Sequence, residues 1–148
     1  MRGTGNDVSV AVLDEAPPEW VRRLRRTCLR LLEASGVAEA EVSVLLTGDL
    51  RMRELKRRYR RVDRTTDVLS FSQDEPGVSP LKAALGDIVI SLPALRRNAR
   101  RYGVPADQEL ERLVAHGLLH LLGWDHRTVA DRARMATRQE ALVRGLRA

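Results

Sequence analysis

Two periods of hydrophobicity run through this chain. A period of two, or a short apolar run, marks strands at residues 8–13 and 41–47, where Val42, Val44 and Leu46 alternate with polar neighbours. Residues 65–71 read as a turn leading into a third strand, and 86–91 as a fourth. The apolar centre of that fourth strand, Ile88-Val89-Ile90, predicts burial on both faces. A period of 3.6 marks the helices. The first, 19–34, follows Pro17-Pro18 and ends at Ser35-Gly36; Trp20, Leu24, Cys28, Leu31 and Leu32 share its inner side, and Arg22, Arg23, Arg26 and Arg30 face outward. The second, 50–59, is capped by Asp49; the third, 93–102, starts at Pro93 and stops at Gly103. A fourth, 107–122, follows Pro105 and carries Glu109 and Glu111 early; a fifth, 130–147, sets Met135, Leu142, Val143 and Leu146 among charges. Residues 73–81, with Pro76, Gly77 and Pro80, form a loop. The expectation is one α+β domain over residues 1–148, a mixed sheet of about four strands packed with about five helices. The short connections permit parallel and antiparallel pairs alike, so strand order stays open.

The fourth helix carries the chemistry. Every histidine in the chain falls within residues 116–126, as His116, His120 and His126. Residues four apart lie on one helical face, so His116 and His120 can aim at one point. Gly123 is a natural helix stop, and the turn after it can return His126 to the same point. Three neutral imidazoles leave a fourth position open, which is the donor set of a catalytic zinc site rather than a closed structural one. Core histidines are common, but three confined to one short stretch around a helix-breaking glycine are not explained that way. Leu118, Leu119, Leu121 and Leu122 bury the helix and make it rigid scaffold. Zinc so held supports hydrolysis of an amide or a phosphodiester. The H-x-x-x-H-x-x-G-x-x-H spacing is also that of metzincin peptidases, but those carry a glutamate general base after the first histidine. Here that position is Gly117, which cannot take a proton.

Charge narrows the partners. A net charge of +6 favours polyanions. The densest basic stretch is 57–64, although a charge run at a helix end is often only solvated surface. All but Lys56 and Lys82 of the 26 basic residues are arginine, a bias that genome composition can also produce. Aromatic residues make up only 3%, so base stacking on aromatic platforms is not expected. Cys28 has no partner for an internal disulfide, the start reads as no signal peptide, and no apolar stretch reaches membrane-spanning length. A cytoplasmic protein is expected, without a membrane partner.

The segment His116-Gly117-Leu118-Leu119-His120-Leu121-Leu122-Gly123-Trp124-Asp125-His126 resembles the HGxLHLxGxDH signature of the YbeY family of bacterial endoribonucleases. Tyr59-Arg60, then Asp63 and Thr66-Asp67-Val68-Leu69-Ser70-Phe71, are similar to the family's YRxxDxPTDVLSF segment. Leu85-Gly86-Asp87-Ile88-Val89-Ile90-Ser91 is similar to its LGDIVIS strand, and Met135 and Glu140 also fall where the family has them. Lys56, Thr65, Ser72 and Trp124 depart from the family's usual Asn, Pro, Pro and Tyr or His. The resemblance implies a zincin-like fold and one zinc ion per chain, held by His116, His120 and His126. It implies single-strand endoribonuclease activity in maturation of the 3′ end of small-subunit ribosomal RNA and in ribosome quality control. The partners are then ribosomal RNA precursor and the ribosome. It also marks Arg60 as the arginine near the metal, where a guanidinium can grip a phosphate and stabilise charge on the phosphorane.

Asp125 is the nearest carboxylate to the histidines, and reads as a turn former or as an acceptor that orients a ligand ring. The general base is unassigned, and activated water and the RNA 2′-OH both stand as candidate nucleophiles. Two other functions stand beside the nuclease: a ribosome-assembly RNA-binding factor with a mainly structural zinc, and a metzincin-like peptidase, which Gly117 disfavours.

Overall fold

The computed structural model describes residues 5–13, 16–58, 68–72, 83–124 and 127–147. In chain order the elements are β1 (Asp7–Val12), α1 (Pro18–Ala34), β2 (Ala40–Thr47), α2 (Asp49–Arg58), β3 (Val68–Ser72), β4 (Ala83–Ser91), α3 (Leu92–Tyr102), α4 (Ala106–Leu121) and α5 (Val129–Gly145). The expected elements all form, most within a residue or two of their expected ends. The exception is β4, which begins three residues early because Ala83 and Ala84 pair with Ala40 and Glu41 of β2. Asp49 is itself the first residue of α2 rather than the residue before it.

The sheet is mixed, in the order β1-β2-β4-β3. β1 and β2 are parallel, as are β2 and β4; β3 pairs antiparallel with β4, with Val68 opposite Ile90 and Ser70 opposite Ile88. The period of two sorts the side chains between two faces. Val42, Val44, Leu46, Val68, Ile88 and Ile90 enter the main core with α1 and α4, while Leu69 and Val89 turn to the opposite face and meet Met52 of α2. Burial of β4 on both faces follows from this two-sided cover.

α4 runs through the main core. Residues 113–119 are all buried, as expected of a helix apolar on every side. At its start, Asp107 pairs with Arg23 of α1, whose guanidinium also lies 5.6 Å from the Trp20 ring centroid; that of Arg96 of α3 lies 5.9 Å from the same centroid. Glu109 is buried at 1% exposure, and Arg112 satisfies it with two bonds of 2.9 and 2.6 Å. α5 docks across α4 by burying Met135, Leu142 and Leu146, and its N-terminus is capped by Thr128, which accepts from Asp131 N at 2.9 Å. Among the described residues no helix is long and apolar enough to cross a membrane.

Candidate metal centre

His116 and His120 stand one turn apart on α4, with ring centroids 4.7 Å apart and ring planes at 78°. Their Nε2 atoms approach to 3.1 Å. Each ring is held from its other nitrogen. His116 Nδ1 lies 2.8 Å from Gln139 Oε1 of α5, and His120 Nδ1 lies 3.1 Å from the carbonyl oxygen of Trp124. A backbone carbonyl can only accept, so His120 Nδ1 carries the proton and its Nε2 a lone pair. Where Gln139 Oε1 accepts from His116 Nδ1, His116 takes the same tautomer, and a cation between the rings would then meet two Nε2 lone pairs.

The local sequence explains why Trp124 can do this. Gly123 adopts φ +98°, and two bonds close the end of α4: Gly123 N to His120 O at 3.0 Å and Trp124 N to Leu119 O at 2.9 Å. This is a Schellman ending, which a left-handed glycine permits without steric cost. It folds the chain back so that the Trp124 carbonyl reaches the His120 ring.

Gly117, beside the first histidine, has a packing role. A Cβ there would sit 3.1 Å from Ile88 Cγ2, 3.2 Å from Ser70 Oγ and 3.3 Å from Val68 Cγ2. α4 therefore lies on β3 and β4 at glycine distance. Ser70 Oγ donates to Gly117 O at 3.1 Å across the same contact.

The pair fits a small divalent ion. Two imidazole nitrogens bound to tetrahedral zinc at ~2.0–2.1 Å lie roughly 3.3 Å apart. The Nε2 separation is close to this, and an all-imidazole donor set suits zinc. His126, Asp125 and Arg60 lie outside the described residues. Arg60 belongs to the segment that leads from α2 into β3, and Val68, the first residue of β3, packs against Gly117.

Sequence reasoning missed Gln139, Ser70 and the Trp124 carbonyl. For Gln139 a signal existed: positions 135, 139, 142 and 146 form one helical stripe, and Gln139 is its single polar member. A carbonyl contact leaves no trace in side-chain identity. A cleft of about 680 Å³ opens on the other side of Gln139, between α3, α4 and α5, and is lined by Tyr102, Arg112 and Val143 among others.

The fold agrees with what comparison with known proteins finds. The family model for Endoribonuclease YbeY matches residues 9–147, nearly the full chain. An Endoribonuclease YbeY of Anaeromyxobacter sp. (strain Fw109-5) is 51% identical over 124 residues, covering 83% of this chain and 63% of that protein. The Moorella thermoacetica protein of the same name is 46% identical, covering 86% and 87%, and that of Symbiobacterium thermophilum 40%, covering 95% and 94%. The solution structure of a Thermotoga maritima protein superposes with a TM-score of 0.61 at 26% identity, covering 92% of this chain and 86% of that one. The chain belongs to the Endoribonuclease YbeY family. It spans 63% of the length of the two Anaeromyxobacter relatives.

Proposed function

We propose that this chain is a zinc-dependent single-strand endoribonuclease that acts in the cytoplasm on ribosomal RNA precursor, at the 3′ end of the small-subunit RNA. The observation that carries the proposal is the 3.1 Å approach of two Nε2 atoms whose partner nitrogens both have acceptors. His116 and His120 supply two ligands, and His126 supplies the third. Bound there, the ion provides a Lewis acid for the phosphodiester and acidifies water at the site. The family supplies the substrate class, because its members carry the name endoribonuclease.

The remaining roles belong to the chain's own residues. Gln139 and the Trp124 carbonyl hold the two rings in place. Arg60 grips the scissile phosphate through its planar fork and stabilises charge as it builds. Asp125 serves as a turn former or as the acceptor that orients a ligand ring. The net charge of +6 draws the RNA backbone regardless of base sequence. Gly117 places no proton acceptor where a metzincin peptidase needs one, which disfavours a peptide substrate.

Metal analysis of the purified protein, coupled to RNA cleavage with and without chelator, tests this reading. One zinc per chain, cleavage abolished by chelator and restored by zinc is the expected result. Cleavage that survives complete removal of metal would contradict it.

A further inference from the structure

We propose that Gln139 is a positioning residue of the metal centre: it fixes the tautomer and orientation of His116 and so couples docking of α5 to metal affinity. This rests on the zinc reading above and extends it to a residue on a different helix. His116 Nδ1 and Gln139 Oε1 are 2.8 Å apart, although twenty-three positions separate the two residues in sequence. Gln139 comes within reach because α5 buries Met135 on one side of it and Leu142 on the other. Without that acceptor, His116 is free to move its proton to Nε2, and a protonated nitrogen cannot be a ligand.

The chemistry of the acceptor matters as well as its presence. A ligating histidine becomes a stronger donor when its other nitrogen gives a proton to a carboxylate. Gln139 offers a neutral amide oxygen instead. That holds the ring while leaving the His116 ligand less electron-rich, which favours a more Lewis-acidic ion. Gln139→Glu should therefore preserve or tighten metal binding. Gln139→Leu, nearly the same volume without an acceptor, should weaken it on the order of 10–100-fold. Gln139 is half-buried and borders the open cleft, so leucine is accommodated without overpacking.

The test measures zinc affinity by chelator competition for the parent, His116→Ala, Gln139→Leu and Gln139→Glu chains. Proton NMR of the zinc-loaded proteins then follows the Nδ1–H signals of His116 and His120. The expected result is tight binding by the parent, loss in His116→Ala, a 10–100-fold loss in Gln139→Leu and parental or better affinity in Gln139→Glu. The slowly exchanging Nδ1–H signal of His116 should vanish in Gln139→Leu and persist in Gln139→Glu. That of His120, held by the Trp124 carbonyl, should persist in both and report that the fold is intact. Parental zinc affinity in Gln139→Leu, with His116→Ala impaired, would overturn the role of Gln139 and leave the zinc site standing. Equal weakening by leucine and glutamate would also overturn it. Failure of the parent to bind zinc, or no effect of His116→Ala, would overturn the zinc reading and this inference with it.

Discussion

Ser70 of β3 donates a hydrogen bond to the carbonyl of Gly117 in α4, 3.1 Å away, where the helix lies against the edge strand. A methyl group at Gly117 would press on Ser70, Val68 and Ile88 at 3.1–3.3 Å. Overpacking of this kind costs about 1–3 kcal/mol, and alanine's better helix propensity returns about 1 kcal/mol. Gly117→Ala should therefore lose about 1 kcal/mol, a drop of roughly 3 °C in the thermal midpoint. Gly117→Glu, which installs the metzincin base, should lose more than ~3 kcal/mol and gain no peptidase activity. A thermally unchanged Gly117→Glu chain would show that the helix has room the contact distances deny.

Much of this arrangement was legible in the residue pattern. The alternation at Val42, Val44 and Leu46 and the apolar run 88–90 identify strands because one or both faces are covered, and cover is what the pattern records. The early start of β4 was not legible, since Ala83 and Ala84 have little strand preference and are extended by pairing with β2. Nor was strand order, because β3 takes its place through packing on α4 at Gly117, a contact between segments far apart in sequence. At the candidate metal centre, helical spacing alone brings His116 and His120 together. Gln139 was overlooked because a lone glutamine in an amphipathic helix reads as surface unless its place on the 135–139–142–146 stripe is weighed. Arg60, Asp125 and His126 rest on sequence and family resemblance, as they lie outside the described residues.

Asp49 ties three elements together. Its carboxylate accepts from Ser91 Oγ at 2.9 Å and from Arg97 at 2.6 and 3.1 Å, while Ser91 caps α3 by accepting from Ala94 N at 3.3 Å. The Arg97 hydrogen bond, aided by Ser91, holds the Asp49 carboxyl below its ordinary 3.8. A folded-state pKa below the unfolded value gives stability that is present above the unfolded pKa and lost as pH falls through the folded one. The pair is partly exposed, so Asp49→Asn should cost no more than ~1 kcal/mol at neutral pH. Denaturant unfolding should show that difference shrinking below pH ~4. A difference that grows with acidity would contradict this.

Cys28 lies wholly inside the core on α1, and burial pushes its thiol up to about 12. Thiolate is the reactive form, so the folded chain should resist thiol reagents at neutral pH and react once per chain after unfolding. Full labelling of folded protein would place Cys28 at the surface.

Arg60 separates chemistry from binding. If it grips the scissile phosphate, its charge counts most as negative charge builds in the transition state. Arg60→Ala should retain zinc and most RNA affinity yet lose on the order of 10²–10³ in single-turnover rate at saturating enzyme. Arg60→Lys should recover little, because an ammonium lacks the planar fork. Arg57→Ala, at the exposed end of α2, should lose slight affinity and keep turnover. Parental cleavage by saturated Arg60→Ala would reduce Arg60 to a surface phosphate contact.

The central claim is that an ion between His116 and His120 makes this chain a nuclease rather than only an RNA-binding protein. Single-turnover cleavage of a single-stranded ribosomal RNA fragment, measured beside its binding affinity, tests it most directly in zinc-loaded parent and His120→Ala chains. His120→Ala should bind the RNA within a few-fold of the parent, as expected if the net charge of +6 draws the phosphate backbone, and should cleave it no faster than background. Cleavage by His120→Ala at the parental rate, or absence of cleavage by a fully zinc-loaded parent that binds the RNA, would contradict the claim and favour an assembly factor with a structural zinc.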